Sequence, residues 1–342
     1  MRYSGGMGTG SPDVHVVGGG IIGMAVAWRL AKAGAHVRVS DAGAMGRAAS
    51  HAAAGMLAPG GEIERDQPLL HLAQASLKLY AGFVDELREE SGLDIDYREC
   101  GAVERAANDA GWKQLVCRAR RQQELGIECD IQGDEVFFPR DAVVNPRQVI
   151  AALHCVCGSR GVQISENDSI NTVHALGAPT VIAAGCWSGA IAITTGNRPM
   201  ELPAVFPVKG HLIGYSLEPG SLPNILRSEH TYILQRADGF TIAGSTMEHA
   251  GFDTSVDEKI CRDLHDRAAR LWPDLRGHHP VERWTGLRPG TVDGQPVIGR
   301  LGETNVWLAY GHFRNGILLA PVTAEMIAAE ITAAANASSG RG

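Results

Sequence analysis

The sequence predicts an α/β chain, α+β taken as a whole, in which a Rossmann-like domain is interleaved with a domain built on an antiparallel sheet. Three observations predict it. A glycine turn, Gly18-Gly19-Gly20-Ile21-Ile22-Gly23, lies between a short apolar run and an Ala/Leu-rich stretch near the start. Short β-rich runs broken by glycine and proline fill Val205 to Gly244. Strand and helix patterns return at the C-terminal end, so the first domain is left and re-entered rather than completed before the second begins. A length of 342 residues leaves room for about two such domains.

Each element has a local reason. Val14 to Val17 reads as a strand, Met24 to Ala33 as a helix that Gly34 stops, and His36 to Ser40 as a second strand ending in Asp41. Apolar residues from Leu69 to Leu87, including Leu70, Ala73, Leu77, Tyr80, Phe83 and Val84, keep a helical period. Trp112 to Leu125, closed by Gly126, is a further helix. Asn145-Pro146 is an N-cap followed by proline at the first helical position, which opens a helix through Leu153. Thr180 to Ala184 is a buried-type strand. Ser255 and Glu258 have capping-box spacing for a helix that Trp272-Pro273 ends. Val306 to Tyr310 is a strand, and Gly316 to Ile331 an apolar helix with Pro321 near its first turn.

Composition narrows the function. Thirty-eight acidic against 31 basic residues give a net charge of −7, which argues against a nucleic-acid partner, since phosphate binding draws on an excess of Lys and Arg. The seven cysteines are scattered and form no C-x-x-C pair, so neither a disulfide framework nor a metal site is expected, and a reducing cytoplasm is. Residues 1–12 read as a flexible tail without the apolar core of a signal peptide. The uncharged run from Val16 to Trp28 is too short and too glycine-rich to cross a bilayer, so no membrane partner is expected.

The glycine turn carries the first chemistry. Gly18 permits the tight turn, Gly20 a close backbone approach to a pyrophosphate, and Gly23 close helix–strand packing. The helix N-terminus then offers N–H groups and the positive end of its dipole to the phosphates, and Asp41 accepts from ribose hydroxyls. No second G-x-G-x-x-G follows a strand downstream. Two classes remain open on the residues alone: a nicotinamide dehydrogenase, or a flavoenzyme whose electrons come from the organic substrate.

Three further segments carry a specific likeness. Arg47 to Pro59 (RAASHAAAGMLAP), Trp284 to Arg300 (WTGLRPGTVDGQPVIGR) and Tyr310 to Pro321 (YGHFRNGILLAP) closely resemble the glycine oxidases, flavoenzymes of the D-amino-acid oxidase superfamily. The likeness runs from about Val14 to Ile331. It implies the D-amino-acid oxidase fold, related to that of glutathione reductase. An FAD-binding domain would comprise 13–62, 140–199 and 285–335, and a substrate domain 63–139 and 200–284, with 1–12 and 336–342 as tails.

The resemblance also implies site residues. Ile21 and Ile22 fall at the diphosphate, Asp41 and Ala42 at the adenosine ribose, Ala49 and Ser50 again at the diphosphate, and Ile170 at adenine. Ala54, Gly55 and Met56 fall at the flavin ring. His312, Phe313, Arg314, Asn315, Gly316, Ile317 and Leu318 would wrap the flavin, with Gly316 opening the last helix toward its pyrimidine edge, where a helix N-terminus stabilises the negative charge of reduction. Arg288 and Arg314, in glycine- and proline-flanked loops, would hold the substrate carboxylate, with Tyr232 and His230 beside it and Met247 in the pocket wall. A planar, permanently charged fork is the donor such a carboxylate needs. No cysteine lies in the C-terminal flavin-facing motifs, so FAD is expected to be non-covalent.

The implied reaction is hydride transfer from the substrate Cα to flavin N5 with no side-chain base. It gives imine, then oxo acid and ammonia, with O2 reduced to hydrogen peroxide. The amine must be neutral, so activity should rise toward alkaline pH. Glycine, sarcosine and D-alanine are the expected substrates, thiamine thiazole biosynthesis the expected context, and a homo-oligomer the expected assembly. A quinone- or partner-linked dehydrogenase of the same amino acids and a non-catalytic FAD-binding module are the alternatives. Three departures from the family pattern stand out: His51 in the flavin loop, Gln235 in place of a common proline, and a short connection between Val173 and Thr180 that should leave the adenine side less covered.

Overall fold

The computed structural model describes residues 13–60, 67–196, 198–228 and 231–339. The N-terminal tail and His230 lie outside them. Seven α-helices are found among the described residues: α1 (Ile21–Lys32), α2 (Ala49–Ala52), α3 (Pro68–Ser91), α4 (Asp109–Glu124), α5 (Pro146–Ser159), α6 (Glu258–Leu271) and α7 (Gly316–Ser339).

A six-stranded sheet forms the first half, in the order Val297–Arg300, Val306–Tyr310, Thr180–Ile182, Val14–Val17, Val37–Ser40, Gln163–Ser165. All neighbours are parallel except the edge strand Val297–Arg300. Alternation along Val14–Val17 sends Val14 and Val16 into a core shared with α1, α3, α5 and α7. Val17 points the other way, with Ile182 and Leu308, into a core closed by the small sheet of Thr172–His174, Ala192–Thr195 and Arg198–Met200. The chain thus doubles away from Val14–Val17 in both directions, which opens a crevice at the carboxyl ends of the central strands.

The second half is an eight-stranded sheet in the order Glu282–Thr291, Val205–Ser216, Phe240–Gly244, Thr231–Gln235, Ile225–Ser228, Ala102–Arg105, Glu135–Phe138, Asp130–Gln132. One face packs on α6. The other packs on α4 and on Ala54, with Met56 alongside, and so faces the first half. A small sheet of Met56–Leu57, Ala142–Val144 and Tyr97–Arg98 stitches the halves together.

Several expectations need correction. The antiparallel sheet is wider than 205–244, because strands from 102–138 and 282–291 join it by long-range pairing that leaves no local pattern. Packing also redraws two domain boundaries. Helix α3, inside the expected substrate segment 63–139, buries Leu70, Tyr80, Phe83 and Leu87 in the core of α1, α5 and α7. Strand Glu282–Thr291 stays hydrogen-bonded to Val205–Ser216 throughout, so residues 285–291 belong with the large sheet.

The capping box is replaced by a stronger cap. Asp257 takes the N-cap and its carboxylate accepts from Lys259 and Ile260 N–H, while the Ser255 hydroxyl donates to Asp253. Helix α7 runs past Ile331 to Ser339, since the alanine-rich ITAAANASS stretch contains neither Gly nor Pro; residues 336–339 are therefore helix, not tail. Part of α7, Gly316–Ala337, is long and apolar enough to cross a membrane, yet it packs on α1 and α3 inside the protein.

Candidate active site

A continuous cavity of about 1360 Å³ starts at the crevice of the parallel sheet and runs beneath the large sheet. Gly18 turns the chain with φ +112, and a Cβ there would sit 2.4 Å from the Ala183 carbonyl oxygen, so only glycine fits. Gly20 caps α1 without any side-chain cap, leaving the helix N-terminus directed at the cavity wall that Gly20, Ile21 and Ile22 form. Ser50 Oγ accepts from Ile21 N–H at 3.0 Å. Asp41 lines the wall beside Ala42, its two carboxylate oxygens accepting from Gly19 N–H at 2.7 Å and Gly43 N–H at 2.8 Å. That clamp fixes the carboxylate while each oxygen keeps a second lone pair.

Farther along, Ala49, Ser50, Ala54, Gly55 and Met56 line one side, and Ile170 lies at the crevice end. Gly55 has φ +97, and any Cβ would meet the Val144 carbonyl oxygen at 1.9 Å. The loop is thereby pressed onto strand Ala142–Val144, with its backbone along the cavity. Opposite it, Phe313 adopts φ 48 and donates its N–H to the Pro289 carbonyl, while Asn315 N–H closes a turn on His312. His312, Phe313, Arg314, Asn315, Gly316 and Ile317 all line the cavity, with Gly316 opening α7. His312 is buried 3.0 Å from the Thr323 hydroxyl, and burial holds its pKa down to about 3, so the ring is neutral.

At the far end stands Arg288. It was expected in a loop, but it lies on strand Glu282–Thr291, paired with Val208. Pro289 is tolerated because this strand is the sheet's edge. Arg288 donates from Nη1 to the Thr246 carbonyl at 3.1 Å and from Nη2 to Ser245 Oγ at 2.8 Å. Tyr232 lines the same chamber from the strand Thr231–Gln235, and Arg314 does so as an exposed side chain. Met247 is 61% exposed and sits at the rim rather than in a closed wall.

Gly23 lies off the cavity wall and lets α1 approach the first strand, as its place in the turn predicts, since a Cβ there would lie 1.9 Å from Gly18 O. Leu318, expected at the flavin, points into the core at 1% exposure, because two residues past Gly316 the helix has turned about 200° off the cavity. His51 is also off the wall, with Arg47 Nη1 at 2.8 Å from its ring; burial and the Arg147 and Arg47 guanidinium groups lower its pKa. Gln235 is a structural tie: its amide accepts from Gly220 N–H and donates to Thr241 and Ser221, fastening the turn before the strand Ile225–Ser228.

Sequence reasoning missed Gly210 and Gly244. A Cβ at Gly210 would lie 2.2 Å from Arg288 Nη1, and one at Gly244 would lie 2.5 Å from the Tyr232 hydroxyl. Glycine inside a strand is the signal that would have found them. Cys186 also lines the cavity; burial pushes its thiol up to about 12, so it stays protonated. A buried ionic cluster, Arg227 with Asp141 at 2.6 Å and with Glu104, borders the cavity from the large sheet, where Arg227 pairs with Tyr232. It carried no sequence signal, since its members come from separate segments.

A Rossmann-like half with a glycine turn at the helix N-terminus, opening into a chamber floored by the large sheet, defines a dinucleotide-dependent oxidoreductase. The chain belongs to the family described as FAD dependent oxidoreductase (DAO), whose profile matches residues 13–330. Its cofactor is FAD, and the long cavity from Asp41 to Gly316, walled by backbone turns at Gly18 and Gly55 that only glycine permits, fits that extended group.

Relatives agree over nearly the whole chain. Glycine oxidase of Bacillus licheniformis is 32% identical over 92% of this chain and 92% of that protein. The bifunctional protein ThiO/ThiG of Synechocystis is 33% identical over 92% of this chain, which spans only about half (51%) of that relative. The crystal structure of glycine oxidase from Geobacillus kaustophilus superposes with TM-score 0.87 at 28% identity, covering 94% of both chains.

Proposed function

We propose that the protein oxidises glycine and similarly small amino acids, such as sarcosine and D-alanine, to the imino acid, with O2 taking the electrons as hydrogen peroxide. The observation that carries this reading is the Arg288 guanidinium, held by Ser245 and Thr246 over a floor cleared by Gly210, on the wall of a cavity shared with the flavin-binding residues. When bound, FAD supplies the two-electron acceptor. Arg288 binds the substrate carboxylate as a two-pronged donor and thereby sets the direction of the Cα–H bond. Tyr232 and Arg314 add donors at the same end, and Met247 covers the rim. The ammonium proton leaves to solvent at that rim, which makes the rate rise with pH toward the amine's own pKa. Neutral His312 adds no charge beside the N-terminus of α7, whose dipole favours negative charge at the ring edge.

Similarity to the ThiO/ThiG proteins supports a place in thiamine biosynthesis, with the imine as the product used. Burial of α7 in the core supports action without membrane insertion.

Arg288→Ala tests the reading through peroxide release. The expected result is a loss of about 100-fold or more in kcat/KM for glycine, the scale of a lost charge-assisted pair, with FAD content unchanged. An unaltered kcat/KM contradicts it.

A further inference from the structure

Arg288 is itself held by a short segment whose position has a definite cause. Residues Ser245 and Thr246, which receive its two donors, follow directly after strand Phe240–Gly244, and nothing in a strand end fixes where they go. The tie comes from His211, on the strand Val205–Ser216 that also pairs with Arg288's own strand. His211 is fully buried. Its backbone N–H donates to Thr246 Oγ1 at 2.8 Å, and its ring Nδ1 lies 2.8 Å from Glu248 Oε1. Thr246 Oγ1 donates to the same Glu248 oxygen at 2.5 Å.

The ring's other nitrogen settles its state. Nε2 lies 3.0 Å from the backbone N–H of Asp257, a group that can only donate, so Nε2 carries the lone pair and Nδ1 the hydrogen. Glu248 therefore receives two donors, one from the His211 ring and one from Thr246. It is further clamped by paired backbone hydrogen bonds with Lys209 at 2.9 Å each. Lys209 Nζ pairs with Asp253 at 2.6 Å.

We infer that His211 is a positioning residue for substrate recognition: its Nδ1–H fixes Glu248, Glu248 fixes Thr246, and the Thr246 carbonyl and Ser245 hydroxyl set the Arg288 guanidinium for a carboxylate. A fully satisfied chain of this kind orders its end group more sharply than a solvated loop would. The inference rests on the reading of Arg288 as the carboxylate anchor.

Two substitutions separate the ring's two jobs. Asparagine at 211 can place a donor where Nδ1 stands but cannot serve Asp257; glutamine can place an acceptor near Nε2 but loses the donor to Glu248. Acetate, a carboxylate that cannot be oxidised, is titrated into the FAD-loaded proteins and followed by the flavin visible spectrum. Anaerobic flavin reduction by glycine gives the half-saturation and limiting rate. His211→Gln is expected to weaken acetate and raise the glycine half-saturation about tenfold, with the limiting rate within about twofold, while His211→Asn stays within about twofold of wild type. Glu248→Ala, at a partly exposed position, is expected to match His211→Gln and serves if the buried variant fails to load FAD.

Equal weakening by Asn and Gln overturns the inference, because it assigns the effect to the helix cap or to packing. Wild-type behaviour in both His211→Gln and Glu248→Ala overturns it as well. A wild-type protein that neither binds acetate nor is reduced by glycine removes the parent reading, and this one with it.

Discussion

Gly210 and Arg288 form a pair in which one residue's missing side chain makes room for the other's charge. The obstructed atom is the far end of a flexible side chain, so Gly210→Ala has a cheap escape: the guanidinium moves and the sheet stays. The expected outcome is a glycine KM raised about tenfold at near-normal thermal stability and FAD content, checked by peroxide kinetics and a melting curve. An unchanged KM removes Arg288 from the carboxylate. The cavity-lining positions legible in the sequence were those that follow from a local motif, such as Gly18, Gly20 and Asp41, or from a segment long enough to resemble a family, such as Arg288 and Arg314. Leu318 was misplaced because a contiguous motif says nothing of helical phase, and about half a turn carries it from the cavity into the core.

Helix α7 shows how an element is held where its sequence would break it. Pro321 lacks an N–H within the first turns, and Ser76 of α3 reaches across: its hydroxyl donates to the Leu318 carbonyl at 2.6 Å and accepts from Val322 N–H at 3.3 Å. Ser76→Ala is expected to cost about 1–3 kcal/mol in denaturant unfolding of the FAD-loaded protein, and to loosen FAD, since the same turns begin at Gly316 on the cavity wall. A variant as stable as wild type shows that the helix closes the gap unaided. Helices and the first two strands were readable because period, caps and glycine stops are local signals. Arg288's strand was not, because Gly286, Pro289 and Gly290 read as a loop until the pairing with Val205–Ser216, far away in sequence, makes it an edge strand.

At the scale of the molecule, the two halves meet on one cavity, and their interleaving explains why the domain limits were only partly legible. The order of motifs announces that the first domain is left and re-entered, but packing decides where. Tyr80 and Phe83 commit α3 to the parallel-sheet core, and continuous pairing commits 285–291 to the large sheet. The small sheet of Met56–Leu57, Ala142–Val144 and Tyr97–Arg98 then places the backbone at Gly55 on the same cavity as Tyr232 and Arg288.

As proposed, the shared cavity lets a small amino acid hand two electrons to the bound flavin. Anaerobic mixing of the FAD-loaded protein with glycine, sarcosine or D-alanine tests it most directly. Saturable bleaching of the oxidised flavin band, followed by peroxide on admitting air, is the result predicted. Flavin that stays oxidised with all three contradicts the claim.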